Sequence, residues 1–380
     1  LFFVFQFSFL NAQTNNESSI QKQSIQKKLD SYIKLKENKD LKSLYKNFSK
    51  ILSENKDKET GRLLNFMIQK KLKPNSHFRN FFESYLLVFS SSSHDLDSWI
   101  NVLQKVLQEN TINKYNNFLI YSADLVQLRS IRKTKTLNWS YSDSKVFFDY
   151  EDENPVVVFS DHTNLMCTTK GNSIKINLTK GKYYPFKNKW NGKEGVVDWS
   201  THSISSDSIY VILDKYKIDT RSTKINCDSV SFYNKYLFDK PLKGKFQNRI
   251  SIGKMSHTYP RFTSYSKKIF LEEIFNGIDY EGGYMLNGKK FIADGGKYAD
   301  AKIIFKKNGK KLLVAESDRF NLESKSLTSS SCALKIYFDN DSIFHSDLKL
   351  KYFNDQRKLQ LFNSINTSFR KPMINSYHKM

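Results

Sequence analysis

Seven histidines, three cysteines and a scatter of carboxylates are the side chains that could do chemistry. The histidines are His77, His94, His162, His202, His257, His345 and His378. No two lie three to five residues apart, so the spacing of a helical zinc site is missing. Cys167, Cys227 and Cys332 are widely separated, stand in strand-like stretches and form no CxxC pair. They read as small buried hydrophobes, with neither a disulfide framework nor a zinc cluster. Nucleophilic catalysis needs a positioned Ser or Cys with a base. No GxSxG elbow occurs, and the runs Ser90-Ser91-Ser92-Ser93 and Ser329-Ser330-Ser331-Cys332 read as turns. Paired carboxylates could hydrolyse a glycosidic bond; the candidates are Glu272, Glu273 and Glu281, near Tyr280 and Tyr284. Glu151-Asp152-Glu153 precedes Pro155 and reads as a solvated loop. Asp339-Asn340-Asp341 lacks the ligand spacing of a calcium loop. Gly282-Gly283 has no GxxxxGK[ST] pattern around it and is not a phosphate loop. The sequence therefore assigns no catalytic residue, no metal ligand and no cofactor.

A ligand-binding reading attaches to a single segment. Thr179-Lys180-Gly181-Lys182-Tyr183-Tyr184-Pro185-Phe186 is followed by Trp190-Asn191-Gly192-Lys193-Glu194-Gly195-Val196-Val197-Asp198-Trp199. An exposed indole can stack on the apolar face of a pyranose, which makes Trp190, Trp199, Tyr183 and Tyr184 the candidate ligand-binding residues. The competing reading is that both tryptophans fill a β core.

The elements that must position these residues are set by composition and period. The chain has 380 residues, 39% hydrophobic and 14% aromatic, enough for large cores and two or three domains. Its formal net charge is +23. Such a surface suits an anionic lipid head group or an anionic glycan. The lysines are dispersed in pairs such as Lys27-Lys28, Lys70-Lys71 and Lys310-Lys311, so a lysine-rich solvated surface accounts for the same number. Arg is scarce beside Lys, and nucleic acid is not an expected partner.

Residues 1–12, LFFVFQFSFLNA, read as the back half of a secretory signal peptide, too short to span a bilayer. A polar leader occupies 13–20. From 21 to 133 the apolar period is helical: Ile25, Leu29 and Ile33; Leu41, Leu44, Phe48 and Leu52; Leu63, Leu64 and Met67; Phe78, Phe81, Phe82 and Tyr85; Trp99, Leu103 and Val106; Phe118, Leu125 and Leu128. That predicts six amphipathic helices packed as antiparallel hairpins, with Ser93-His94-Asp95 as an N-cap. Near residue 134 the period changes to two. A β region with the Trp/Gly segment runs over 134–278, and a second over 279–380 carries Asn287-Gly288 and Asn308-Gly309 as hairpin turns. Asp207-Ser208-Ile209, Asp228-Ser229-Val230, Asp341-Ser342-Ile343 and the weaker Asn172-Ser173-Ile174 read as turn-plus-strand repeats.

The β region resembles very large uncharacterised exported proteins of Gram-negative bacteria, whose open β layers look similar to the jelly-roll of lipopolysaccharide-transport bridges. The matching stretches are residues 179–185 and 190–199, Tyr216-Lys217-Ile218, Asp228-Ser229-Val230-Ser231-Phe232, Asp341-Ser342-Ile343-Phe344-His345, Leu348-Lys349-Leu350-Lys351-Tyr352 and Ser376-Tyr377-His378. The resemblance covers about residues 135–380 and implies that the chain is a fragment of a longer one. The expected fold is α+β by segregation: a helical domain, then an all-β, repeat-like solenoid or open jelly-roll. The expected role is a non-catalytic, exported cell-envelope scaffold, periplasmic or outer-membrane-associated, with no transmembrane helix and with other envelope proteins as partners. The alternative is a lipid- or glycan-binding β trough with lysines at its rim; a carbohydrate-active enzyme stands third.

Overall fold

A computed structural model describes residues 27–33, 39–54, 58–142, 144–251, 257–295, 300–338 and 341–363. The signal segment 1–12, the leader 13–20, Asp339-Asn340 and Ser376-Tyr377-His378 lie outside the described residues. The chain is α+β, with helices first and antiparallel strands after them. Contacts divide it into two compact units: Leu1–Gly192 with Asp219–Ser222, and Lys193–Ile218 with Thr223–Met380.

Among its described residues the first unit has six α-helices, as their periodicity predicts: α1 (27–33), α2 (Lys39–Glu54), α3 (Lys58–Gln69), α4 (Arg79–Ser90), α5 (Leu96–Glu109) and α6 (Ile112–Leu128). Pro74 opens a short π-helical turn, Pro74–Phe78, that leads directly into α4. The apolar stripes meet in an alternating order: α4 packs between α2 and α6, and α5 packs on α3. The core they close is aromatic, with Phe48, Phe81, Phe82, Tyr85 and Trp99 fully buried and the Phe48 and Phe82 rings 4.7 Å apart. Asp95 caps α5 by accepting from Ser98 N at 2.7 Å, so the expected cap is its third residue. Each such cap contributes about 1 kcal/mol.

The period change near residue 134 marks where strands take over, but the compact unit extends past it. β1 (Ser130–Lys133), β2 (Asn138–Tyr141), β3 (Val146–Glu151), β4 (Asn154–Thr169) and β5 (Asn172–Tyr184) form an antiparallel sheet against α5 and α6. The helical segment therefore shares its core with this sheet. Glu151-Asp152-Glu153-Asn154 is the β3–β4 hairpin, with Asp152 and Glu153 both at positive φ, the geometry of a two-residue primed turn.

Beyond β6 (Lys189–Lys193), the second unit contains β7 (Val196–Asp198), β8 (Ile209–Leu213), β9 (Lys215–Asp219), β10 (Lys224–Asn234), β11 (Leu242–Arg249), β12 (Arg261–Ser264), β13 (Ile269–Phe275), β14 (Ile278–Asn287), β15 (Lys290–Asp294), β16 (Ala301–Lys307), β17 (Lys310–Ser317), β18 (Arg319–Glu323), β19 (Ser326–Phe338), β20 (Asp341–Phe353) and β21 (Lys358–Asn363). Its described strands pair antiparallel, as in the β10–β11 and β19–β20 ladders. Its core holds Trp199, Phe232, Phe246, Phe262 and Tyr284, with Phe232 stacked on Phe262 at 4.2 Å.

One device recurs in both units: a long strand divides one edge between two shorter neighbours. In the first unit, β4 gives residues 154–159 to β3 and residues 165–168 to β2, and its ladder with β5 shifts register between them. In the second, β14 gives residues 278–281 to β16 and 283–287 to β15, while β19 gives residues 326–328 to β18 and 333–336 to β17. At each switch the ladder is interrupted, and backbone groups that lose their partners need others. Side chains supply them. Thr163 Oγ1 donates to Ser142 O, and Asn164 Oδ1 accepts from Leu178 N. Ser317 and Ser329 hydroxyls both donate to Ser331 O. The serine run 329–331 thus services a strand switch instead of forming a turn. Gly283 sits at the β14 switch, where an added Cβ would press on Asp294 O and the Lys267 side chain.

Three of the four Asp/Asn-Ser copies open a strand, at β5, β8 and β20. The copy at Asp228-Ser229 lies inside β10, at the bulge between Cys227 and Val230. A bulge and a strand start both take a residue pair that tolerates interrupted pairing, which is why the four look alike in sequence. Asn308-Gly309 is the β16–β17 turn as expected, with both residues at positive φ. The β14–β15 turn is displaced by one, with Gly288 and Lys289 central and Asn287 paired to Lys290.

Candidate binding cleft

Helix α6 carries Lys114, Asn117, Phe118, Tyr121 and Asp124 at spacings of three, one, three and three, which puts them on one helical stripe. Thr111 starts this helix by accepting from Lys114 N. Arg129, in the left-handed conformation at φ 47°, ends it and turns the chain into β1. The stripe consequently flanks β1 and the turn that follows β5. Together they line a cleft of about 570 Å³, to which β1 contributes Ser130, Ile131, Arg132 and Lys133, the end of β5 contributes Tyr183, and the turn contributes Pro185, Phe186 and Asn188. The turn is held by Lys187 N donating to Tyr184 O and by Thr220, whose N and Oγ1 both donate to Asn188 O.

Four aromatic rings form the apolar side. Phe118 lies 5.9 Å from Tyr121 and 6.3 Å from Phe186 between centroids, and Tyr121 lies 6.0 Å from Tyr183. The Lys114 ammonium stands 5.4 Å from the Phe186 ring centre and also donates to Asn110 Oδ1.

Two polar groups in this wall are unsatisfied. The Tyr121 hydroxyl is buried without a hydrogen-bond partner, and so is the Arg132 Nε. Arg132 is fixed at its other end, where Nη1 donates to Asn188 Oδ1. A buried donor left unpaired costs about 1–3 kcal/mol. Burial, followed by the neighbouring Tyr183 and Tyr141, drives the Tyr121 phenol well above its ordinary pKa, so it keeps its proton and stays a donor. The Tyr183 phenol is also raised by burial, an effect opposed by its hydrogen bond with Thr220. Lys114, Arg132 and Lys133 face a single carboxylate, Asp124, among the lining residues.

Of the four residues singled out in the sequence, only Tyr183 lines this cleft. Tyr184 is half-buried, and its hydroxyl donates to Glu151 Oε2, which also receives Lys182 through Oε1. Trp190 is fully buried in the first unit against Phe159, 5.2 Å between centroids, and over Gly181, where a Cβ would lie 2.8 Å from the indole. Trp199 is fully buried in the second unit against Phe232 and Phe246, its Nε1 donating to Gly288 O. Both indoles occupy β cores and present no face for a sugar to stack on.

The carboxylates do not enter the cleft as a pair. Glu272 and Glu273 are exposed on β13. Asp300 and Asp318 approach each other on an exposed surface, where burial and then the Asp318 charge raise the Asp300 carboxyl above its usual range. Among the described residues no group of three or more His, Cys, Asp or Glu could hold a metal ion. Cys167, Cys227 and Cys332 are buried free thiols, each pushed up to about 12 by burial. No described helix is long and apolar enough to cross a membrane.

Sequence reasoning missed Tyr121 and Arg132. The available signal was the polar interruption of the α6 apolar stripe at Lys114, Asn117 and Asp124. Comparison with protein families, curated proteins and solved structures found no match.

Proposed function

We propose that the chain is a non-catalytic binding protein of the cell envelope, and that the cleft between α6, β1 and the β5 turn holds a small anionic ligand with an apolar face, drawn from a lipid or a glycan. The observation that carries this reading is the pairing of an aromatic wall with two buried, unpartnered donors, Tyr121 Oη and Arg132 Nε. Ligand pockets characteristically combine an apolar lining with a few polar groups that fix orientation. The lysines at 114 and 133 supply the basic rim that the sequence associates with anionic head groups. The exported setting rests on residues 1–12 alone. The test is thermal unfolding in the presence of dodecanoate, glucuronate, glucose 6-phosphate and neutral sugars. An acidic compound raises the midpoint of the wild-type protein, and Phe186→Ala removes the rise. A midpoint unmoved by every compound contradicts the proposal.

A scaffold role is favoured by a separate observation. Strands β4, β14 and β19 each belong to two neighbours along one edge. On this reading the layers extend by further strands, in the open jelly-roll manner expected from residues 135–380.

A further inference from the structure

We infer that the ligand of the first-unit cleft is an anionic sugar, a pyranose ring bearing a carboxylate or a phosphate, read by Arg132 and Tyr121. The inference rests on the binding role proposed above and narrows it. Both unsatisfied groups donate. An Arg Nε–H can only donate, and the Tyr121 phenol, held protonated by its burial, offers its O–H. Two donors with a basic rim are complemented by an oxyanion, whose charge-assisted hydrogen bonds are about twice as strong as neutral ones.

The remainder of the lining selects what carries the oxyanion. A fatty-acyl chain is best served by an uninterrupted apolar tunnel. Here the rings of Tyr121 and Phe186, backed by the fully buried Phe118, alternate with the amides of Asn117 and Asn188. That alternation matches a sugar ring, which offers an apolar face to an aromatic side chain and hydroxyls at its edge to amides. A cleft of about 570 Å³ falls within the usual range of small-ligand sites, roughly 300–1,000 Å³, and accommodates one or two sugar rings. Arg132 is pre-positioned for the task, because its bond to Asn188 Oδ1 fixes the guanidinium before any ligand arrives.

Isothermal titration of the full chain with glucuronate, glucose 6-phosphate, glucose and dodecanoate tests the inference. At least one of the two acidic sugars binds tenfold or more tightly than glucose, and which one does so identifies the acid as a carboxylate or a phosphate. Arg132→Gln erases that preference, Tyr121→Phe weakens the acidic sugar several-fold, and Lys133→Gln at the exposed rim lowers affinity most at low salt. If Arg132→Gln does not fold, as judged by circular dichroism, Lys133→Gln and the salt dependence of the wild-type protein decide. Dodecanoate binding more tightly than either acidic sugar, or glucose binding equally well, overturns the anionic-sugar assignment and leaves the cleft a binding site of another kind. No binding by any of the four removes both the assignment and the binding role.

Discussion

Acidification should loosen the first unit through one imidazole. His94 joins the α4–α5 connection to the sheet. Its Nε2 lies 3.0 Å from Tyr141 Oη, and its Nδ1 lies 2.7 Å from Ser91 Oγ. The Tyr141 hydroxyl donates its own proton to Leu125 O, so the ring must donate through Nε2, and in its neutral form it accepts at Nδ1 from Ser91. Protonation would reverse the Ser91 contact, with Nδ1 donating to the hydroxyl oxygen, and would place a charge in a partly buried site. Burial, then the nearby Arg129 charge, pushes the His94 pKa down from 6.5 to about 4. The unfolded chain therefore takes up the proton first as pH falls. The stability associated with neutral His94 is complete above about pH 7 and is lost as pH drops towards 4. Linkage between these two values gives a loss of about 2 kcal/mol from pH 7 to pH 5, an upper figure because the ring is partly hydrated. The perturbation is His94→Gln, which keeps a side-chain N–H and removes the titration. The assay is urea unfolding at pH 7 and pH 5, followed by tryptophan fluorescence, to which Trp99, Trp139 and Trp190 report from this unit. Carboxylates titrate in both proteins and cancel in the comparison. The variant should lose about 1–2 kcal/mol less than the wild type on acidification. Equal losses in the two proteins would refute the reasoning.

Three further outcomes follow from packing. All four tryptophans are fully buried, so emission should be blue-shifted and resist acrylamide in the native protein, and adding sugars should leave the spectrum unchanged; quenching approaching that of free indole would place Trp190 or Trp199 at the surface after all. The three thiols should ignore iodoacetamide until the chain is unfolded in urea, then react together, because burial holds them up at about 12 and out of reach; native labelling of any one would contradict its placement. At Gly244 a methyl group would meet Thr263 O and the Phe262 ring at 2.6 Å, so Gly244→Ala should cost about 1–3 kcal/mol in urea unfolding, whereas the same change at Gly171, where no atom lies within 4 Å of the added carbon, carries only the strain of its positive φ.

The helices were legible because each buries one stripe locally. The spacing Phe78, Phe81, Phe82, Tyr85 states which face is inward, and all four are buried. The change of period near residue 134 marks the strands for the same reason. The strand switches were not legible. Gly283 and Ser329-Ser330-Ser331 owe their identities to partners on other strands, such as Asp294 and Ser317, across ladders whose register no local pattern states. Their composition mimics loops because interrupted ladders and loops share the need for side chains that bond the backbone. The cleft escaped notice for a related reason. Tyr121 and Arg132 are ordinary residues on a helix and on a short strand, and their significance arises only when the turn after Tyr183 closes over them. Trp190 and Trp199 drew attention by type, yet an indole between glycines is as suited to covering a glycine in a β core as to meeting a sugar; over Gly181 the former holds.

A crystal structure of the full chain grown with the acidic sugar that titration selects would examine the central claim most directly. Ligand density against Phe186, with its oxyanion on Arg132 Nε and Tyr121 Oη, is the predicted result. Density elsewhere, or those two donors bonded instead to groups of the protein itself, would contradict it.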